Sequence, residues 1–79
     1  MTNVKVKLAS IQDVRNFVDT VTKFNIDIDL SSGRYVVDAK SIMGIFSLDL
    51  LNPINLTALT DDADEEKALL EALKPFIVE

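Results

Sequence analysis

Apolar and polar residues alternate in three stretches of the chain, which is the pattern of strands with one buried face. The apolar positions of these stretches are Val4, Val6 and Leu8, then Ile26, Ile28 and Leu30, and finally Ile54, Leu56 and Ala58. Another strand is predicted at residues 34–37, because Ser31, Ser32 and Gly33 separate it from the second stretch as a β-hairpin turn would. The polar residues between the apolar ones predict that one face of the sheet meets water.

Two further segments have the spacing of amphipathic helices. Between Ile11 and Phe24 the apolar residues recur every three or four positions, and Ser10 is the predicted N-cap. The last segment opens with five acidic residues within positions 61–66, where Asp62 and Glu65 predict a capping box. The same acids could form a cation site, but their spacing is not that of an EF-hand, and acids stabilise a helix N-terminus. We therefore favour a capped, solvated helix end.

The second of three predicted helices starts after Ser41 and runs for about ten residues, until Pro53 forces the chain out of helical geometry. Its apolar residues surround most of the helix instead of forming one stripe. Two interpretations stay open. Either Leu50 and Leu51 already lie in the following loop and the rest is core, or Met43 and Phe46 form an exposed patch for a partner.

The resulting element order is β-α-β-β-α-β-α. Because each strand has one apolar face and each helix one apolar stripe, the predicted class is α+β, with a four-stranded antiparallel sheet covered by three helices on a single face. A length of 79 residues predicts one domain over residues 1–79, and the 48% of apolar residues suits a compact core. Asn-Pro at residues 52–53 and Pro75 are expected to end helices.

Composition excludes several functions. The chain has no histidine and no cysteine, which removes the commonest general base, the commonest metal ligand and the thiol nucleophile, so no metal and no cofactor is expected. A net charge of -5 with scattered basic residues argues against nucleic acid. The longest apolar stretch, residues 42–51, is too short to span a membrane, and the absence of a leader favours a cytoplasmic protein. Carboxylate-based catalysis ranks last, because no acidic pair lies next to a pocket signature.

Residues 40–48 read Lys-Ser-Ile-Met-Gly-Ile-Phe-Ser-Leu, and they follow a hairpin and precede the fourth predicted strand. This run resembles the segment with the regulatory serine in the histidine-containing phosphocarrier protein (HPr) of the bacterial sugar phosphotransferase system. Lys23-Phe24 and Gly33 are weaker matches in the same order. The resemblance covers nearly the whole chain and implies an HPr-like open-faced β-sandwich.

The resemblance also implies roles for individual residues of the second helix. Ser41 matches the serine that an ATP-dependent kinase phosphorylates in the family, although helix capping alone would explain a serine there. A helix start can also support a phosphate through its amides and dipole. Ile42, Met43 and Phe46 match the surface with which the family binds its protein partners.

The chain departs from the family at the active-site loop. Family members carry a His-x-Arg-Pro run at the start of the first helix, and counting without gaps from Lys23-Phe24 places it on residues 10–13. Ser10 then replaces the phosphoacceptor histidine, Gln12 replaces the arginine, and Asp13 adds a negative charge. Ser10 as a substitute acceptor is less favoured than Ser10 as an N-cap, because a serine ester lacks the transfer potential of a phosphoramidate.

The leading hypothesis is therefore an HPr-like protein that is not an enzyme, has lost histidine phosphotransfer and acts by binding. Its expected partners are phosphotransferase-system components, a serine kinase or a regulator, which would contact the second helix. The alternative is a structural module that self-associates through the same helix as a weak homodimer.

Overall fold

The computed structural model describes residues 2–78, which form four strands and three helices. The strands make one antiparallel sheet in the order β1-β4-β2-β3. The predicted element order is confirmed. In chain order the elements are β1 (Thr2–Val6), α1 (Ile11–Val21), β2 (Asp27–Ser32), β3 (Tyr35–Asp38), α2 (Ile42–Phe46), β4 (Ile54–Leu59) and α3 (Ala63–Ala72).

The sheet has one buried and one open face. Strand β4 lies between β1 and β2, so that Leu56 is opposite both Val4 and Leu30. Lys5 and Asn55, which are opposite each other, are exposed on the other face. The alternation in the sequence therefore predicted correctly which strand residues meet water, and the helices cover the remaining face.

Buried side chains from all three helices and from three strands form one hydrophobic cluster. Phe17 of α1 is fully buried, and its ring makes an edge-on contact with Phe76 at a centroid distance of 5.6 Å. Phe76 lies after α3, so this contact joins the first helix to the C-terminal segment. The other large and fully buried side chains are Val6, Leu8, Val14, Val21, Ile28, Leu30, Ile45, Ile54, Leu56, Leu69 and Leu73.

Helix α1 begins as predicted but is shorter than its apolar spacing suggests. It ends at Val21, and Phe24 lies beyond the end, half-buried against the core. Ile11 was expected on the core stripe, and this was wrong, because its side chain is 64% exposed. Ile11 occupies the first helical position, where the chain has only begun to approach the sheet.

Helix α2 is much shorter than the predicted ten residues, and Pro53 is not what ends it. It stops at Phe46, where Ser47 donates its hydroxyl to the Gly44 carbonyl at 2.6 Å. The Asp49 carboxylate then accepts a bond from the Leu51 amide at 3.0 Å. Such local side-chain bonds compete with helical ones and offer the backbone a turn instead. The first interpretation is therefore correct in placing Leu50 and Leu51 in a loop, but it is wrong in assigning the rest of the helix to the core, because Met43 and Phe46 are exposed.

Helix α3 is capped by Asp62, whose carboxylate accepts bonds from the amides of Asp64 and Glu65. The predicted reciprocal half of the capping box is wrong. The Glu65 carboxylate accepts instead from the Thr60 hydroxyl at 2.8 Å, and Thr60 in turn accepts from the Asp62 amide. Thr60 thus stands between the two members of the expected box.

The C-terminal segment adds a short extension beside β1. Ile77 forms an antiparallel bridge with Val6. The Lys7 amide donates to the Phe76 carbonyl at 2.8 Å, and the Val78 amide donates to the Lys5 carbonyl at 2.9 Å. At the other end of the sheet, Gly33 has a positive φ of 60° in the hairpin turn, a conformation that other residues adopt at a cost. Strand β3 follows this turn and forms the far edge of the sheet.

Candidate functional site

The first turn of α1 is closed by its own side chains. The Ser10 hydroxyl accepts a bond from the Asp13 amide at 3.1 Å, and the Asp13 carboxylate accepts one from the Ala9 amide at 3.0 Å. The Gln12 side chain is also engaged, since its amide nitrogen donates to the Asn16 side chain at 3.0 Å. Ser10 is therefore an N-cap, as predicted.

This arrangement places a carboxylate where a helix would otherwise attract an anion. The amides at a helix start and the helix dipole favour negative charge. Here the Ser10 oxygen holds one of those amides, and Asp13 supplies a negative charge of its own. A second anion at this position would meet like charge.

Four exposed side chains form what we call the apolar patch: Ile11, Met43, Phe46 and Leu51. Their exposed fractions are 64%, 76%, 41% and 85%. Ile11, Phe46 and Leu51 line a cleft of about 370 Å³ that Ser10 also borders, so the patch adjoins the start of α1. Met43 and Phe46 are thus exposed, as the second interpretation of the α2 sequence required.

The patch rests on a well-packed base. On the same helix Ile45 is fully buried, and Ile42 is half-buried against the core. Gly44 allows α2 to lie close to β3, because a Cβ atom there would be 3.2 Å from the Val37 Cβ atom. The Lys7 ammonium group donates to the Leu51 carbonyl and so links the loop after α2 to the end of β1.

Ser41 lies at the start of α2 with its side chain exposed. Its hydroxyl oxygen accepts a bond from the Gly44 amide at 3.2 Å, and its carbonyl accepts from the Ile45 amide at 3.0 Å. Its own amide donates to the Asp38 carbonyl at 3.0 Å, which fixes the serine to the end of β3. The serine is therefore both an N-cap and accessible from outside.

Sequence reasoning missed two members of the apolar patch. Ile11 was assigned to the core by its helical spacing, and Leu51 was considered only as a loop residue. The exposure of Ile11 could have been inferred from its position directly after the N-cap. The helix first reaches the core one turn later, at Val14. The exposure of Leu51 depends on the turn that the Asp49 carboxylate stabilises.

A larger cleft, of about 490 Å³, lies away from these residues, between the β2–β3 turn and the segment after α2. Two of its polar residues already bond within the protein: Ser47 donates to Gly44, and both carboxylate oxygens of Asp49 accept bonds, from the Leu51 amide and the Asn52 side chain. We place the candidate site at the apolar patch because it unites the α1 start with α2. Over residues 2–78 no group of acidic side chains could hold a metal ion, and no helix in that range could cross a membrane.

A family model described as "PTS HPr component phosphorylation site" matches residues 12–79, which is most of the chain. The chain is a member of the HPr family. The HPr-like protein Crh of Halalkalibacterium halodurans is 38% identical over 61 residues, which cover 77% of this chain and 71% of that protein. The chain also has the HPr-like open-faced β-sandwich fold.

Two solved HPr structures from Thermoanaerobacter tengcongensis are similar to this chain. One, described as HPr-C-His, has a TM-score of 0.74 and 32% identity, covering 92% of this chain and 90% of its own. The other, described as an HPr dimer, has a TM-score of 0.63 and 36% identity, covering 86% and 79%. The family match begins at Gln12, so the equivalence of Ser10 to the family's histidine position rests on the ungapped count from Lys23-Phe24.

Proposed function

We propose that this chain is an HPr-like protein that does not transfer phosphate and acts by binding other proteins. Its sequence contains no histidine, so no alignment can supply the phosphoacceptor that defines a phosphocarrier. Its similarity to Crh, a protein described as HPr-like, supports a role other than that of the phosphocarrier itself.

The single observation that carries the proposal is the closed first turn of α1. The Ser10 hydroxyl accepts a bond from the Asp13 amide at 3.1 Å, and the Asp13 carboxylate accepts one from the Ala9 amide at 3.0 Å. Asp13 also adds a negative charge. A phosphoacceptor position needs free donors and a positive neighbour. This turn offers an engaged serine hydroxyl, an engaged glutamine and a carboxylate instead.

The apolar patch and the half-buried Ile42 beside it are the proposed binding surface, in which Ile42, Met43 and Phe46 match the family's partner surface. Hydrophobic and aromatic side chains that are exposed together on a small domain are typical of protein interfaces. Met43 adds an adaptable side chain, and the buried Ile45 holds the helix in place. The proposed partners are components or regulators of the phosphotransferase system, with Ser41 as the regulatory phosphorylation site.

We expect that enzyme I and radiolabelled phosphoenolpyruvate leave this protein unlabelled. The physical reason is that a serine hydroxyl, engaged as an N-cap and lying beside Asp13, cannot replace an imidazole in this transfer. The measurement is the amount of acid-labile and acid-stable phosphate label on the protein after gel separation. The positive control is the HPr of the organism that supplies enzyme I. Label on this chain, whichever residue carries it, would contradict the proposal.

A second candidate function is self-association through α2. The exposed Met43 and Phe46 favour it, and a relative of this chain has been described as an HPr dimer. Replacing Phe46 by aspartate would then convert a dimer into a monomer, because a charge would be buried in the interface. Sedimentation equilibrium measures this change. The control is Leu59→Asp, which puts the same charge at another exposed apolar residue. A monomeric wild type, or a dimer that survives Phe46→Asp, rejects this candidate.

A further inference from the structure

The two edges of the sheet differ in how they end. At the β1 edge, the C-terminal segment supplies a bridge from Ile77 to Val6 and two backbone hydrogen bonds. At the other edge, no strand within residues 2–78 pairs with the outer side of β3, and the Asp38 carbonyl at the end of the strand accepts a bond from the Ser41 amide. Edge strands are often protected by lysine, proline, a bulge or their own shortness; β3 is short, but it reads Tyr-Val-Val-Asp and has no lysine or proline.

The hydrogen-bond alternation shows which backbone groups face outward. The Ala39 amide donates to the Ile28 carbonyl at 2.9 Å, and the register pairs Leu30 with Val37. Residues of an antiparallel strand alternate between bonding one neighbour and bonding the other. Since Ala39 and Val37 bond β2, Val36 directs its amide and its carbonyl away from the sheet. The Val36 side chain is also 65% exposed.

The β3 sequence is complementary to itself in an antiparallel arrangement. If two copies pair about a two-fold axis at Val36, then Tyr35 faces Val37 of the other copy, and Arg34 faces Asp38. These pairs are apolar in the first case and oppositely charged in the second, and cross-strand neighbours of both kinds stabilise a sheet. Arg34 and Asp38 are exposed, and the hydrogen bond that the Asp38 carboxylate accepts from the Lys40 amide uses one of its two oxygens.

We propose that the outer edge of β3 is a homodimer interface, in which two copies join their sheets into one continuous antiparallel sheet. The Val36 amide and carbonyl of each copy bond those of the other, and the two Arg34–Asp38 pairs flank them. This surface is distinct from the apolar patch on the helix side. Four-residue strands bury little area, so we expect a weak dimer with a dissociation constant on the order of 100 µM or above.

The first test follows the Val36 amide by NMR hydrogen exchange between about 10 µM and about 2 mM protein. Over this range the fraction of molecules in a weak dimer rises with concentration. We expect Val36 protection to rise with concentration, while the Val78 amide, which is already bonded to Lys5, keeps its protection. Sedimentation of the same samples should report a dimer. A monomer throughout, or a dimer that leaves Val36 unprotected, would overturn the proposal.

The second test exchanges the charges. Arg34→Asp and Asp38→Arg each place like charges opposite one another in a homodimer and should weaken it at least about tenfold. An equimolar mixture of the two variants restores both opposite-charge pairs and should form a heterodimer, which also shows that both variants are folded. Arg15→Asp makes the same charge change on exposed α1 and should leave the dimer intact. If the mixture stays monomeric while Phe46→Asp abolishes the wild-type dimer, the interface is α2 and not β3.

Discussion

Replacing Phe17 by alanine is expected to lower the free energy of unfolding by about 3–5 kcal/mol. The Phe17 ring is fully buried, and its edge-on contact with Phe76 connects α1 to the C-terminal segment. Stability per residue in natural domains is about 0.05–0.15 kcal/mol, which gives roughly 4–12 kcal/mol for a chain of this length. The variant should therefore be near the limit of folding. Urea unfolding followed by circular dichroism measures the loss.

Phe46→Ala is the matched control, because it removes the same ring from a position that is 41% exposed. Full burial of a phenylalanine contributes about 1.5–3 kcal/mol, so we expect a loss of only about 1 kcal/mol here. Equal losses at the two positions would mean that Phe46 belongs to the core and not to the apolar patch.

An ATP-dependent serine kinase of the phosphotransferase system is expected to label this protein, and Ser41→Ala should abolish the label. The Ser41 side chain is exposed, and its oxygen is held only as the acceptor of the Gly44 amide bond, which a kinase can displace. The variant also loses a helix cap, at a cost of about 1 kcal/mol, so its folding should be checked by circular dichroism. Radiolabel from ATP, mapped by mass spectrometry, is the measurement.

Two control variants separate the acceptor from the docking surface. Ser47→Ala removes the neighbouring serine, whose hydroxyl donates to the Gly44 carbonyl, and should leave the label unchanged. Phe46→Asp keeps the acceptor but puts a charge into the apolar patch, and should lower kcat/KM at least about tenfold if the kinase docks there. Label that persists in Ser41→Ala would assign the modification to another residue. A Phe46→Asp rate equal to that of the wild type would place docking elsewhere.

The order of elements could be read from the sequence because strand and helix periods differ clearly in this chain. The helix lengths could not, since they depend on particular side chains. Asp49 accepts a bond from the Leu51 amide and Ser47 donates to Gly44, and these short-range bonds end α2 long before Pro53. Thr60 likewise receives the bond that a capping box would have placed between Asp62 and Glu65.

The candidate site was predicted in part. The resemblance indicated Met43 and Phe46, and both are exposed. Ile11 was missed because periodicity says which residues share a face of a helix but not where along the helix the core begins. Leu51 was missed because it reaches the patch through a turn that no repeating pattern describes. The absence of a histidine at the α1 start could be read directly, since it is visible in the sequence itself.

The C-terminal segment beside β1 has a consequence for the size of the assembly that we propose at β3. A sheet that is open at both edges can add copies at each end and grow into a fibre. Here Ile77 and its neighbours cover the end of the β1 edge at residues 5–7, whereas no strand within residues 2–78 covers the β3 edge. In the proposed dimer the same strand of both copies is used, so both ends of the joined sheet are β1 edges with this partial cover. Residues 76–78 would then hinder the addition of a third molecule at either end.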